Sequence, residues 1–331
     1  MSDYKKHYLV TGGAGFIGSH LVKALMANID LRITIIDNFD PFYSKQLKLL
    51  NTQGFEKHPQ IFFIDRNLDD LSASDLQKLI PQKVDVIIHL AAKAGVRPSI
   101  HNPLGYQRTN VLATQVLLDF AKDTGVEQFV FASSSSVYGV NENLPWKEDE
   151  QLLPISPYAM TKLSGEMAGH VFSHLYNIRF IALRFFTVYG PAQRPDLAIH
   201  RFVKSILEDK PITMYGDGST SRDYTYVDDI VQGVLSAVHY RQSLFEIINL
   251  GNHYAVSLKE LISCIEKVTS KKALIRQEPE QAGDVPRTFA DISKAKRLLN
   301  YQPVTQLNEG LKNFYNWFLD NKEVLLNKSN G

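Results

Sequence analysis

The stretch "SPYAMTK", residues 156–162, holds a phenol and an amine four positions apart, at Tyr158 and Lys162. On a helix that spacing puts both side chains on one face, about one turn apart. Pro157 suits the first turn of such a helix, and Ser156 can cap it. A nearby ammonium favours the phenolate and lowers a tyrosine's pKa. The pair is therefore expected to make Tyr158 a base near neutral pH, which an isolated tyrosine with pKa about 10 is not. Upstream, "FASSSSVYG" ends a strand pattern in four serines, 133–136. Where a parallel strand leaves its sheet, such hydroxyls stand at the usual ligand edge. One of them can hydrogen-bond a substrate hydroxyl as it loses its proton.

A second constellation lies at the start of the chain. "LVTGGAGFIGSHLVKAL" carries Gly12, Gly15 and Gly18 between a strand pattern and a helix pattern. Glycines so spaced let the backbone approach a pyrophosphate, and the helix N-terminus adds N–H groups and partial positive charge. The next strand, "RITIID", ends in Asp37, 19 residues after Gly18. A carboxylate there binds both ribose hydroxyls of an adenosine and repels a 2′-phosphate. Asn38 follows it, where an arginine would pair with a phosphate. The expected cofactor is NAD, not NADP.

These residues need a scaffold. Apolar strand patterns at "HYLVTG", "RITIID", "IFFID", "VDVIIHLA", "QFVFASS" and "FIALRFF" alternate with helical patterns at 16–28, 73–80, 104–124 and 157–177. That rhythm predicts an α/β fold, a doubly wound parallel sheet of Rossmann type covered on both faces. Residues 1–185 are expected to form this NAD-binding domain. After residue 185 the rhythm loosens, with a hairpin-like "PITMYGDGSTSRDYTYV" and helical patterns at 198–209, 228–240, 257–269 and 293–300. Residues 186–331 are expected to form mainly a smaller α/β substrate domain, some later segments returning to the first. No flexible linker separates the two, which predicts a ligand cleft between joined lobes.

Composition narrows the function. The 331 residues carry 36 Lys+Arg against 35 Asp+Glu, a balance that argues against bulk electrostatic binding to nucleic acid or a membrane surface. The one cysteine, Cys264, excludes a disulfide framework and reads as a buried thiol in "LISCIEKV". No apolar run reaches the roughly 20 residues of a membrane span, and the N-terminus shows no secretory pattern. A soluble cytoplasmic protein is expected. His89 reads as a satisfied core histidine, and His170 and His174 as an accidental i,i+4 pair, with no metal expected.

In order along nearly the whole chain, Gly-x-x-Gly-x-x-Gly, the strand-end Asp37, "HLAA", "SSSSVYG", Tyr-x-x-x-Lys and "RFFTVYGP" resemble the extended short-chain dehydrogenases/reductases, in their nucleotide-sugar epimerase/dehydratase branch. The resemblance implies a catalytic trio of Ser134, Tyr158 and Lys162. It places Gly12, Gly15, Phe16, Ile17, Gly18, Asp37, Asn38, Asn67, Leu68, Ala91 and Lys162 on NAD. At Asn67, in "RNLDD", the family usually has an acid, and the amide can still bond adenine. Related dehydratases carry an Asp-Glu pair where this chain has Ser134 and Ser135. Related decarboxylases carry a Glu where it has Ser136. Both reactions lose a needed carboxylate, which leaves 4-epimerisation through a transient 4-keto sugar.

"RFFTVYGPAQRPD" and "AAKAGVRPS" are similar to UDP-glucuronate 4-epimerases, in contrast to the "RYFN" of UDP-galactose 4-epimerases. The resemblance puts Thr187 and Arg194 on the sugar's C6 carboxylate, which a planar guanidinium can hold with two parallel hydrogen bonds. Ser135, Ser136 and the less specific Arg97 fall at the sugar. Leu197, Ala198, Tyr215, Arg222, Gln281 and Asp284 fall at the UDP. The expected partner is a UDP-sugar, with a homodimer formed through the helices at 104–124 and 157–177. A 4-epimerase of neutral UDP-glucose or UDP-N-acetylglucosamine is the nearest alternative. A non-catalytic NAD-sensing regulator is a further one, against which the retained Tyr158, Lys162 and Ser134 count.

Overall fold

Strands that are apolar at successive positions must be covered on both faces, because their side chains alternate between the two. The computed structural model, which describes residues 4–279 and 285–326, covers them in this way. Its strands are β1 (Lys6–Thr11), β2 (Leu31–Asp37), β3 (Ile61–Asp65), β4 (Val86–His89), β5 (Gln128–Ser134), β6 (Arg179–Phe185), β7 (Thr187–Tyr189), β8 (Ile212–Tyr215), β9 (Ser221–Tyr226), β10 (Phe245–Leu250), β11 (Ala255–Ser257) and β12 (Ile275–Glu278). Seven of them form one sheet in the order β10-β6-β5-β4-β1-β2-β3, with every pairing parallel. Val10, Ile33, Leu183 and Ile248 enter the core on one face, and Leu9, Ile87, Phe129 and Phe180 the core on the other.

The strand order reverses beside β1, which has β2 on one side and β4 on the other. In open α/β sheets ligands bind at such a switch point, beyond the carboxyl ends of the strands. Gly12 follows β1, Asp37 ends β2, Ala91 lies just past β4, and Ser134 ends β5. The topology thus gathers four sequence-distant groups at one edge. No helix among the described residues is long and apolar enough to cross a membrane.

Three features depart from the sequence reading. Residues 245–250 form β10, which pairs with β6 and completes the large sheet. Residues 307–320 form the helix Leu307–Asp320, whose Phe314 and Phe318 fill the smaller core. The expected hairpin is absent: β8 pairs in parallel with β12, whereas β9 pairs with β7 and β11. The connection holds Gly216 and Gly218 at φ 66° and 78°. These left-handed residues carry the chain from one small sheet to the other instead of folding it back on itself.

Helix Pro157–Tyr176 begins at Ser156, whose hydroxyl accepts from the Ala159 amide at 3.1 Å, and ends at a left-handed Asn177. A buried ion pair fastens it to the sheet. Arg184 of β6 donates from Nε and Nη2 to the two oxygens of Glu166, at 2.9 and 2.8 Å. Their side chains are 1% and 2% exposed. The Ser133 hydroxyl, on β5, also donates to Glu166. Removing one partner of such a pair strands the other charge in a dry interior. Glu166→Gln is therefore expected to cost about 3–5 kcal/mol of stability by denaturant titration. Replacing both partners by Leu and Met is expected to cost less than the single change.

Candidate active site

The crevice at the switch point is a cavity of about 540 Å³. Its walls include Gly12, Gly15, Phe16, Ile17, Gly18, Asp37, Asn38, Asn67, Leu68, Ala91, Ser134, Tyr158, Lys162, Thr187, Arg194 and Leu197. Six other predicted residues among those described, Ser135, Ser136, Arg97, Ala198, Tyr215 and Arg222, are not brought to its walls. Arg97 instead lies over the Tyr215 ring, 5.3 Å from its centroid. Arg222 donates to the carbonyl of its neighbour Ser221 at 2.9 Å. Gln281 and Asp284 lie outside the described residues.

The glycine turn is fixed by close packing. Gly12 adopts φ +74°, and a Cβ there would stand 2.7 Å from the Ala91 amide nitrogen. A Cβ on Gly18 would meet the Gly12 carbonyl oxygen at 2.1 Å. Gly15 differs, having only the Gly12 oxygen nearby, at 3.2 Å, so the space above it stays open. Gly15 is also the N-cap of helix Phe16–Leu25 and offers no side chain to the first-turn amides. Those amides are left free to receive an anion.

Asp37 is committed to the same turn. Its oxygens accept from the amides of Ala14 and Phe39, each at 2.9 Å. Burial pushes its pKa up, and Lys48 works against that shift. Each oxygen keeps a lone pair for ribose hydroxyls. Asn67 also has local partners, accepting from the Asn38 amide at 3.1 Å and donating to Asp70 at 3.0 Å. The Tyr43 hydroxyl, on the cavity wall, is buried without a hydrogen-bond partner. An open glycine turn, uncapped amides, a strand-end carboxylate and an orphaned hydroxyl together fit a dinucleotide.

At the other end of the cavity, Tyr158 and Ser134 share one wall, and the Ser134 hydroxyl donates to that of Ser136 at 3.1 Å and accepts from the Ser136 amide at 3.2 Å. Burial raises the Tyr158 pKa, while the nearby Ser134 hydroxyl and the positive charge of Arg194 lower it. Here the expectation that Lys162 lowers it is not met. Lys162 shares the helix but turns its Nζ to the Ala132 carbonyl of β5, at 2.7 Å. Nζ also lies 5.1 Å from the centre of the Phe131 ring. Burial pushes the Lys162 pKa down to about 7, although Glu166, four residues on, favours the charged form.

Several residues at the site were not anticipated. The helix through 103–124 carries a π-helical turn at Gln107–Leu112, a feature that often marks functional positions. That turn aims Asn110 inward. Its side chain accepts from the Lys93 amide at 2.8 Å and donates to the Lys93 carbonyl at 2.9 Å and to Thr161 at 3.0 Å. Asn110 thus joins the loop after β4 to the helix bearing Tyr158. Lys93 pairs with Asp40 at 2.7 Å, linking that loop to the one after β2. A lone polar residue at a buried helix position was the only sequence signal for Asn110. His89 is buried, its Nδ1 and Nε2 paired with Thr11 and Thr114 at 2.7 and 3.0 Å. Among the described residues no group of three His, Cys, Asp or Glu could hold a metal ion.

Comparison with known proteins agrees with this geometry. The family model described as GDP-mannose 4,6 dehydratase matches residues 9–314. A UDP-glucuronate 4-epimerase of Thermodesulfobacterium geofontis is 39% identical, covering 96% of this chain and 98% of its own. An uncharacterized UDP-glucose epimerase of Bacillus subtilis is 42% identical, covering 92% and 95%. The crystal structure of Bacillus cereus UDP-glucuronic acid 4-epimerase with UDP-glucuronic acid and NAD superimposes with a TM-score of 0.89. It is 40% identical and covers 95% of this chain and 99% of that one.

The buried lysine yields a prediction with a definite sign. Its folded-state pKa, about 7, lies below its ordinary value of 10.5. The fold therefore bears the full cost of the buried ammonium below pH 7, and that cost is relieved as pH rises toward 10.5. Lys162→Met is expected to melt at or above the parent's temperature at pH 7, the difference shrinking with rising pH. Differential scanning calorimetry across that range checks it.

Proposed function

We propose that this chain, which belongs to the nucleotide-sugar epimerase/dehydratase family of extended short-chain dehydrogenases/reductases, interconverts UDP-glucuronate and UDP-galacturonate at C4. The chain is an NAD-dependent UDP-sugar 4-epimerase, and the identity of the sugar is the step we infer. The observation that carries it is the position of Arg194, on the wall of the same cavity as Tyr158, Ser134 and Thr187. Its charge already bears on Tyr158. Asp196 already pairs with one edge of Arg194 at 2.7 Å, and a C6 carboxylate, unlike a neutral CH2OH, would give its remaining N–H donors a second charged acceptor.

Gly12, Gly15, Phe16, Ile17, Gly18, Asp37, Asn38, Asn67, Leu68, Ala91 and Lys162 hold the dinucleotide in this reading. When bound, NAD supplies the acceptor and donor of the C4 hydride. Tyr158 takes the proton from the 4-hydroxyl and returns it, and Ser134 holds that hydroxyl and the Tyr158 oxygen in line. Lys162, one helical turn from Tyr158, lines the same cavity with its Nζ on the Ala132 carbonyl. Leu197 and Ala198, with Tyr215 and Arg222 further out, receive the UDP. The 4-keto sugar turns over before reduction, so hydride returns to its other face.

A 4-keto glucuronate is a β-keto acid. It loses CO2 when the C5–carboxylate bond aligns with the carbonyl π system and charge flows toward C4. Thr187 and Arg194 oppose both by fixing the carboxylate's rotation and holding its negative charge in place. Dehydration and deliberate decarboxylation lack their carboxylates, since Ser134, Ser135 and Ser136 occupy those positions. A neutral-sugar epimerase is the second reading, favoured by the Bacillus subtilis relative.

We also infer a homodimer in the cytoplasm. Leu104, Met167, Val171 and Leu175 are 77%, 63%, 49% and 58% exposed on the helices at 103–124 and 157–176. Large apolar side chains clustered on two neighbouring helices suit a helix-pairing interface. Light scattering is expected to give twice the chain mass for the parent and a single chain mass for a Leu104→Glu, Met167→Glu double variant.

The substrate test uses purified protein without added NAD. UDP-glucuronate is expected to be converted, and UDP-glucose and UDP-N-acetylglucosamine much more slowly. Conversion of the neutral sugars alone would refute the uronate reading. Arg194→Ala is expected to lower kcat/KM for UDP-glucuronate about 100-fold or more and to release UDP-pentose, as suits loss of a buried charge pair of 2–5 kcal/mol.

A further inference from the structure

Arg194 is already held on two sides before any carboxylate is considered. Its Nε donates to Asp196 Oδ1 at 2.9 Å and its Nη2 to Oδ2 at 2.7 Å, a two-point fork. Nη2 also reaches the Ala94 carbonyl at 3.5 Å. The Phe42 ring lies against the guanidinium, 5.1 Å from its carbon. The fork therefore takes the lateral edge, and the guanidinium lies over the Phe42 ring. Nη1 has no hydrogen bond among the described residues, so the end of the guanidinium keeps unused donors. Arg194 lines the cavity and Asp196 does not.

Two effects of Asp196 oppose each other. Its negative charge partly neutralises Arg194 and so weakens the pull on a second carboxylate. Its fork also fixes the guanidinium plane, so an incoming carboxylate need not order a long, flexible side chain. The geometry decides between them. Asp196 occupies the edge away from Nη1, so the two carboxylates do not compete for the same donors. The pair is also local, two residues apart across Pro195, whose ring fixes its own φ.

We propose that Asp196 is a positioning residue that sets the orientation of Arg194, so that the Nη1 end of the guanidinium is presented to the sugar's C6 carboxylate. This rests on the uronate reading above. Asp196 touches neither sugar nor cofactor, and its effect passes through Arg194 alone. It therefore governs selection of the charged sugar and retention of CO2, while leaving the grip on UDP unchanged.

The test compares the parent with Asp196→Asn and Asp196→Glu. KM and kcat are measured for UDP-glucuronate and UDP-glucose, UDP affinity by calorimetry, and UDP-pentose released per turnover. Asp196→Asn is expected to raise KM for UDP-glucuronate about tenfold, with kcat within about threefold, since binding and not chemistry is disturbed. UDP-pentose release is expected to rise, UDP affinity to stay unchanged, and KM for UDP-glucose to change far less than KM for UDP-glucuronate. Asp196→Glu, which keeps the charge, is expected to recover most of the KM. An unchanged or lowered KM in the Asn variant overturns the assignment, the lowered value showing Asp196 to be a competitor. A parallel loss of UDP affinity also overturns it, by showing general loop damage. A parent that converts UDP-glucose but not UDP-glucuronate overturns the uronate reading and this inference with it.

Discussion

The paired charges of Glu166 and Arg184 are the fixed point of this molecule. Glu166 belongs to the helix that carries Tyr158 and Lys162, and Arg184 to β6, the strand whose continuation carries Thr187 and Arg194. With Ser133 of β5 as the third partner, the pair joins three elements at one buried position. Ser134, next along β5, lines the cavity with Tyr158. Burying two ions gains little net stability, because desolvation offsets most of their attraction. What the pair supplies is geometry. An apolar replacement could slide along the sheet, whereas a two-point fork has one satisfactory arrangement.

Electrostatics around the cavity follow from that burial. A dry wall raises Tyr158 and lowers Lys162, in each case toward the neutral form. The two shifts oppose proton abstraction, so the site depends on the charges that remain near it. Arg194 is one, acting on Tyr158 across the cavity, and Glu166 is another, acting on Lys162 from behind. Charges in such a setting act more strongly than in water, since little solvent screens them. The same arginine that would hold a sugar carboxylate thus also bears on the base.

The sequence disclosed the parts of this site that are local in the chain. The glycine turn, Asp37 at a strand end, and the Tyr158–Lys162 spacing need only a strand or a helix to put them in place, and all line the cavity. Contacts between distant segments left no such trace. Glu166 and Arg184 are 18 residues apart on different elements, and nothing in their spacing signals a pair. The tie of Asn110 to Lys93 and Thr161 depends on a π-helical turn that residue patterns do not reveal. The hairpin failed for a related reason. "ITMY" and "SRDYTY" look like pairing strands, but each finds a different partner from far along the chain. The Lys162 ammonium was expected to serve Tyr158 from its place one turn along, yet the carbonyl of Ala132 claims it.

The segment from β6 to Arg194 ties the cavity wall to both sheets. β6 runs in the large sheet between β5 and β10, and after one residue, Phe186, the chain enters β7 and pairs with β9 in the small sheet. Thr187, first in β7 and opposite Tyr224, stands where the two sheets meet. The chain then turns through a left-handed Ala192 and returns Arg194 to the cavity, against Phe42 of the loop that follows Asp37. A group gripped by Thr187 and Arg194 is therefore referred to both sheets and to the loop after β2. Rotation of a keto sugar within the cleft changes which face it shows while its UDP end stays in place. In the uronate reading, a carboxylate held by Thr187 and Arg194 would be restrained from both sheets at once, whichever face the sugar shows.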